Sequence, residues 1–163
     1  MYNLGYACIN MGLSNQPKAK RVTTNRSMIR RTFLSKGLPY ASELALQNCL
    51  DLEKIIQWNE DNDVKFYRMS SDILPWHREY ELEQLPDFSA IAESLGRSGD
   101  LARTYGQRIT THPGPFNKLT SPTAHVVTNT IVDLENHGRI FDLMGLPRSP
   151  YAKINIHVGA HYN

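Results

Sequence analysis

His112 and His157 each close a short run of alternating residues. In Arg108–His112, Ile109 and Thr111 would point one way from a strand, Thr110 and His112 the other. Pro113, Gly114 and Pro115 follow at once. Proline has no N–H for a ladder and glycine permits a sharp bend, so the strand stops at His112 and Phe116 hangs on the loop beyond. Lys153–Gly159 repeats the arrangement, with Ile154, Ile156 and Val158 alternating with Lys153, Asn155 and His157. Neutral imidazole is the commonest metal-binding side chain. Two strands that each end in a histidine on their polar side therefore suggest a shared metal site. Two hydrogen-bonded core histidines would give the same pattern.

The other candidates carry weaker signals. His125 and His137 fall in a helical pattern, where a hydrogen-bonded or exposed role is expected; His77 and His161 fall in loops. Tyr6, Trp76 and Phe116 could stack on bases, because every base offers a π-face, or simply pack. The Ser70-Ser71-Asp72 tip could touch phosphate, orient Arg68, or serve only as a turn.

Positioning these residues takes an ordered set of elements. Leu4–Asn10 reads as a first strand, and 24–36 as a basic helix closed by Gly37 and broken by Leu38-Pro39. Ser42 reads as the N-cap of a long helix to about Asn59, striped by Ala45, Cys49, Leu52 and Ile56. Phe66–Ser70 follows as a strand and Phe88–Tyr105 as a helix, which Gly96 and Gly99 weaken by about 1 kcal/mol each relative to alanine. After strand Arg108–Thr111, Ser121-Pro122 predicts a helix start, with Val127, Ile131, Leu134 and Phe141 as its buried stripe. Lys153–Val158 is the last strand. The order β-α-β-α-β-α-β implies parallel pairing with right-handed crossovers. Strand ends polar on one side favour a barrel over a flat doubly wound sheet. A full barrel of eight such units takes roughly 250 residues. The expectation is therefore an α/β fold of the parallel (β/α) TIM-barrel type: residues 1–163 as one unit, the N-terminal half of the barrel, with about four strands and three helices.

Composition narrows the partners. The chain has 163 residues, no apolar run near the ~20 needed to span a bilayer, and no visible secretory leader. Cys8 and Cys49 are too few for a disulfide scaffold and lack metal spacing, which points to a reducing, intracellular setting. The net charge of +2 hides an asymmetry. Lys18, Lys20, Arg21, Arg26, Arg30, Arg31 and Lys36 lie in the first 42 residues, which contain no Asp or Glu. A basic block beside an acidic body is the footprint of a polyanion partner.

Taken together, GYACIN near the start, KFYRMSSDILPW at 65–76, THPGPF at 111–116, DLENHGRIFDLMGL at 133–146 and INIHVGA at 154–160 resemble the UV-damage endonucleases. The resemblance implies a TIM barrel that nicks double-stranded DNA 5′ to UV photoproducts with a cluster of divalent metal ions, manganese first, zinc or magnesium as alternatives. It implies His112 and His157 as metal ligands, Tyr6 and Asn10 near the damaged strand, and Pro115 and Phe116 as a wedge into the duplex. The family usually has glutamine before the aromatic, where this chain has Pro115. With the basic block, the DNA-binding set is Tyr6, Asn10, Pro115, Phe116, Lys20, Arg21, Arg30 and Arg31.

The family's other ligands lie on later strands, so this chain alone is expected to be inactive. Its expected partners are damaged DNA and either a C-terminal half of the barrel or a second copy; no membrane partner is expected. The expected compartment is the cytoplasm with its nucleoid in a bacterium or phage host, or the nucleus or mitochondrion in a eukaryote. Two rival readings remain. One is a damaged-DNA-binding module or truncated homologue that does not cut. The other is a sugar-isomerase-like barrel, which the basic block argues against.

Overall fold

The computed structural model describes residues 4–156 and 159. Three short parallel strands form the sheet: β1 (Gly5–Ala7), β2 (Phe66–Arg68) and β3 (Arg108–Thr110), in the order β1-β2-β3. Tyr6 pairs with Tyr67 and Tyr67 with Ile109, so one row of side chains crosses the sheet in register. Beyond β3, Ile154 makes a single parallel bridge to Thr111, closed by Thr111 N–H to Lys153 O at 3.0 Å and Asn155 N–H to Thr111 O at 2.8 Å. The expected fourth strand is thus one bridge among the described residues, and His157 and Val158 lie outside them.

Among the described residues four α-helices accompany the strands: α1 (Met11–Ser14), α2 (Arg30–Asp61), α3 (Phe88–Thr104) and α4 (Ala124–Leu143), the last following β3. The row Tyr6, Tyr67, Ile109 faces the helices, since Tyr6 Oη donates to Asn59 of α2 at 2.7 Å. Thr111 has the same parity and meets His137 of α4. Leu52, Ile55 and Ile56 of α2, Ile91 and Leu95 of α3, and Ile140 and Phe141 of α4 close the core over it.

Two helix starts differ from the sequence expectation. The basic helix begins at Arg30, not Thr24, and continues through Gly37 into the long helix. Gly37 breaks the α geometry at φ 66°, ψ −161°. That break puts Pro39 in the first turn of the second segment, where a missing N–H costs nothing. Ser42 is therefore not a cap. It is buried inside α2, donating to Asp87 Oδ2 at 2.7 Å and accepting the Asp87 N–H at 2.9 Å. Helix α4 starts two residues after Pro122, because Ser121 Oγ accepts the Thr123 N–H and makes a separate turn. Its buried face also differs: Ile131 is 45 % exposed, while Thr130, Asp133, Asn136 and His137 are buried.

Candidate functional site

The polar face of α4 meets the loops after β2 and β3. Trp76 holds a left-handed φ of 61°, costly for a bulky side chain. Two contacts keep it there: its indole N–H donates to Met28 O at 2.9 Å, and its ring stacks on Phe33 at 5.5 Å. This bend turns His77 inward and leaves Arg78 at the surface. The His77 carbonyl is then held by Asn136 Nδ2 at 2.7 Å.

Asp133, Asn136 and His137 occupy one side of α4 because residues three and four apart share a helix face. His77 Nε2 lies 3.0 Å from Asp133 Oδ1, and Arg78 Nε lies 3.6 Å from the same oxygen. Asp133 Oδ2 accepts from Asn117 Nδ2 at 2.9 Å and stands 3.7 Å from His137 Nε2. The two imidazoles meet edge to face, 5.3 Å between centroids. On the far side, Thr111 Oγ1 is 3.5 Å from His137 Nδ1.

Burial alone would raise the Asp133 carboxyl. The His77 hydrogen bond and the charges of His77, His137 and Arg78 outweigh it and hold the carboxyl below its ordinary range. Burial pushes His137 down to about 4, helped by repulsion from His77 and His112 and opposed by Asp133. His137 is thus a neutral imidazole at neutral pH, the form that binds metal. Its Nε2 and His77 Nδ1 are buried without a hydrogen-bond partner among the described residues. One ligand atom from each of His77, Asp133 and His137 lies within 4.8 Å of the others. Two imidazoles and a carboxylate suit a divalent first-row ion.

The residues singled out from the sequence fall in several places. His112 is half-buried beyond β3, close enough to His137 to perturb its charge, and stands outside the three-residue group. His157 lies outside the described residues. Tyr6 packs against α2, 5.1 Å from Tyr67, and accepts from Asn10 Nδ2 at 2.9 Å. Asn10 Oδ1 in turn caps α1 through the Leu13 N–H at 3.0 Å. Pro115 is exposed and Phe116 is 85 % exposed. Lys20, Arg21, Arg30 and Arg31 are exposed. Arg30 lies over the Trp76 ring at 5.9 Å, beside a cavity of about 190 Å³ lined by Ser71, Trp76, His77, Gly114 and Asn117.

Sequence reasoning treated His77 and His137 as unremarkable and missed their meeting. The signal available was the i, i+4 pair Asp133 and His137 with Asn136 between them, a polar helix stripe where an apolar one was expected. Ser70 does the plain turn chemistry, accepting the Asp72 N–H at 3.4 Å.

A family model described as "UV-endonuclease UvdE" matches residues 2–163. The chain is 33 % identical to the "Putative UV-damage endonuclease" of Acanthamoeba polyphaga mimivirus, over 99 % of this chain and 48 % of that protein. It is 34 % identical to the "UV-damage endonuclease" of Schizosaccharomyces pombe, over 98 % of this chain and 26 % of that one. With the Nostoc "UV DNA damage endonuclease" the identity is 30 %, over 96 % and 47 %. The solved crystal structure of SacUVDE superposes with a TM-score of 0.77 at 25 % identity, covering 96 % of this chain and 49 % of that one. The chain spans about half the length, or less, of these proteins.

Proposed function

Because the chain belongs to the UV-endonuclease UvdE family, we propose that it acts in DNA repair, in an endonuclease that nicks DNA 5′ to UV photoproducts with divalent metal ions. The observation that carries this reading is an exposed Phe116 whose neighbour, Asn117, is hydrogen-bonded at 2.9 Å to Asp133 of a buried His/Asp group beyond the ends of the parallel strands. Such strand ends are where active sites of (β/α) barrels form.

The donor set fits a divalent ion: neutral His137, with a buried nitrogen that has no hydrogen-bond partner among the described residues, faces a carboxylate held in its charged form. His77, Asp133 and His137 would hold one ion, and His112 and His157 are proposed as ligands toward the barrel mouth. A bound ion supplies an activated water and charge neutralisation at the leaving oxygen of the phosphodiester. The rest is positioning. Arg30, Arg31, Lys20 and Arg21 would neutralise phosphates, and Phe116, after Pro115, would enter the duplex where the lesion weakens stacking. Tyr6 and Asn10 would order the end of β1 beside the damaged strand.

A second reading, binding of damaged DNA without incision, draws on the same exposed Phe116 and basic side chains, which need no metal. The test is relaxation of UV-irradiated supercoiled plasmid with and without manganese, beside binding of a photoproduct duplex followed by anisotropy. UV-dependent relaxation abolished by chelation supports the endonuclease. Selective binding without relaxation leaves the binding module, and neither signal refutes both.

A further inference from the structure

We propose that Asn117 and Asp133 clamp the 113–117 loop so that Phe116 stands outward at a fixed height, which makes both of them positioning residues for damage recognition. This rests on the reading of Phe116 as the group that enters the duplex. Phe116 is 85 % exposed, yet the next residue, Asn117, is 4 % exposed. The chain therefore goes from full solvent to full burial in one step. Asn117 makes that possible with three bonds: its N–H and its Nδ2 both reach Gly114 O at 3.1 Å, and Nδ2 also donates to Asp133 Oδ2 at 2.9 Å. The following N–H, Lys118, donates to Thr130 Oγ1 at 2.9 Å, and Thr130 is tied to Val126 O at 2.7 Å.

Thr130 and Asp133 are three residues apart on α4, so two successive loop residues are caught by one helix face. Asp133 is itself anchored by His77 Nε2 at 3.0 Å and Arg78 Nε at 3.6 Å, from the loop after β2. With Pro113 and Pro115 fixing their own φ angles, the loop has little freedom to let the ring fold back onto the surface. An apolar ring held outward enters a duplex without first paying to order its loop, the general gain from preorganisation. The gain is greatest at a lesion, where bases already unstack more easily.

The experiment uses the full chain with manganese, a duplex carrying one thymine photodimer, and the same duplex undamaged. Phe116→Ala, Asn117→Ala and the double variant are compared by anisotropy, with Asn117→Asp as a near-isosteric variant that sets a carboxylate against Asp133. Hydrogen exchange of the Lys118 amide is read on each protein without DNA. Asn117→Ala and Asn117→Asp should speed that exchange about tenfold and lower the damaged-to-intact binding ratio about tenfold, a typical loss for one stacked base. The double variant should be no worse than Phe116→Ala, because Asn117 acts through Phe116. Unchanged exchange in both Asn117 variants overturns the clamp, and additive losses overturn its action through Phe116. If exchange quickens but Phe116→Ala keeps the wild-type ratio, the wedge reading fails and the proposed recognition role goes with it. Wild-type protein with no preference for the damaged duplex refutes the DNA reading itself.

Discussion

At the scale of single residues, His137 sets a measurable pH signature. Its folded value is depressed to about 4, against 6.5 for an unperturbed imidazole, and His77, Asp133 and His112 are the groups that face it. A depressed group stabilises the fold fully above its unfolded value, and that stability is lost as pH falls through the folded value. Chelated protein should therefore lose on the order of 3 kcal/mol between pH 6.5 and 4. His137→Gln should flatten that slope in urea unfolding curves; an unchanged slope would place the transition elsewhere. Asp133 also has a lowered value, so its own contribution persists until the pH falls below the ordinary carboxylate range. Manganese or zinc added to chelated protein should raise Tm by mass action on the folded state. His137→Ala should abolish that rise, and metal stoichiometry on the same variant reads the loss directly.

At the scale of elements, two glycines of α3 separate helix propensity from packing. From the sequence both weaken the helix equally. In the fold, a Cβ on Gly99 would lie 1.7 Å from Met144 O, whereas one on Gly96 would sit 3.7 Å from Leu143 O, an ordinary contact. Gly99 is the point where α3 and the end of α4 approach closely, and overpacking there costs about 1–3 kcal/mol or more. Gly99→Ala should lower Tm by several degrees, while Gly96→Ala should leave it unchanged or raise it, gaining up to about 1 kcal/mol of propensity. Thermal unfolding of the two single variants checks the pair; a similar loss in both would refute the packing assignment.

For the molecule as a whole, the informative quantity is the distribution of charge. Arg26 is committed to Asp51 at 2.7 Å and Arg30 approaches Glu79 at 3.8 Å. Among the described residues no ion pair engages Lys20, Arg21 or Arg31. Free exposed cations are available to phosphates, each of which adds about 0.9 to the salt slope on duplex DNA. Replacing Lys20, Arg21, Arg30 and Arg31 with serine should weaken binding and reduce that slope by roughly 3–4. Binding measured across a salt series decides it, and an unchanged slope would show these side chains to be solvated bystanders.

The sequence by itself determined the alternation of strands and helices, the parallel sense of the sheet and the end of the third strand's pairing at Thr111, just before His112 and Pro113. These follow from local chemistry: side-chain period, and the N–H that proline lacks. It also placed Phe116 on a loop, because nothing after Pro113-Gly114-Pro115 can continue a strand. The meeting of His77, Asn117, Asp133 and His137 was decided only by the tertiary structure. His77 and Asn117 belong to loops that no periodicity describes, and α4 buries a polar face that a search for apolar stripes passes over. Ile131, expected inside, is exposed because that polar face satisfies itself through Asn117, Thr111 and the His77 carbonyl. Those partners are distant in sequence and meet only when the crossovers stack α4 against the strand ends. Gly99 belongs to the same class: its need for no side chain arises from Met144, brought alongside by packing and by nothing in the neighbouring residues.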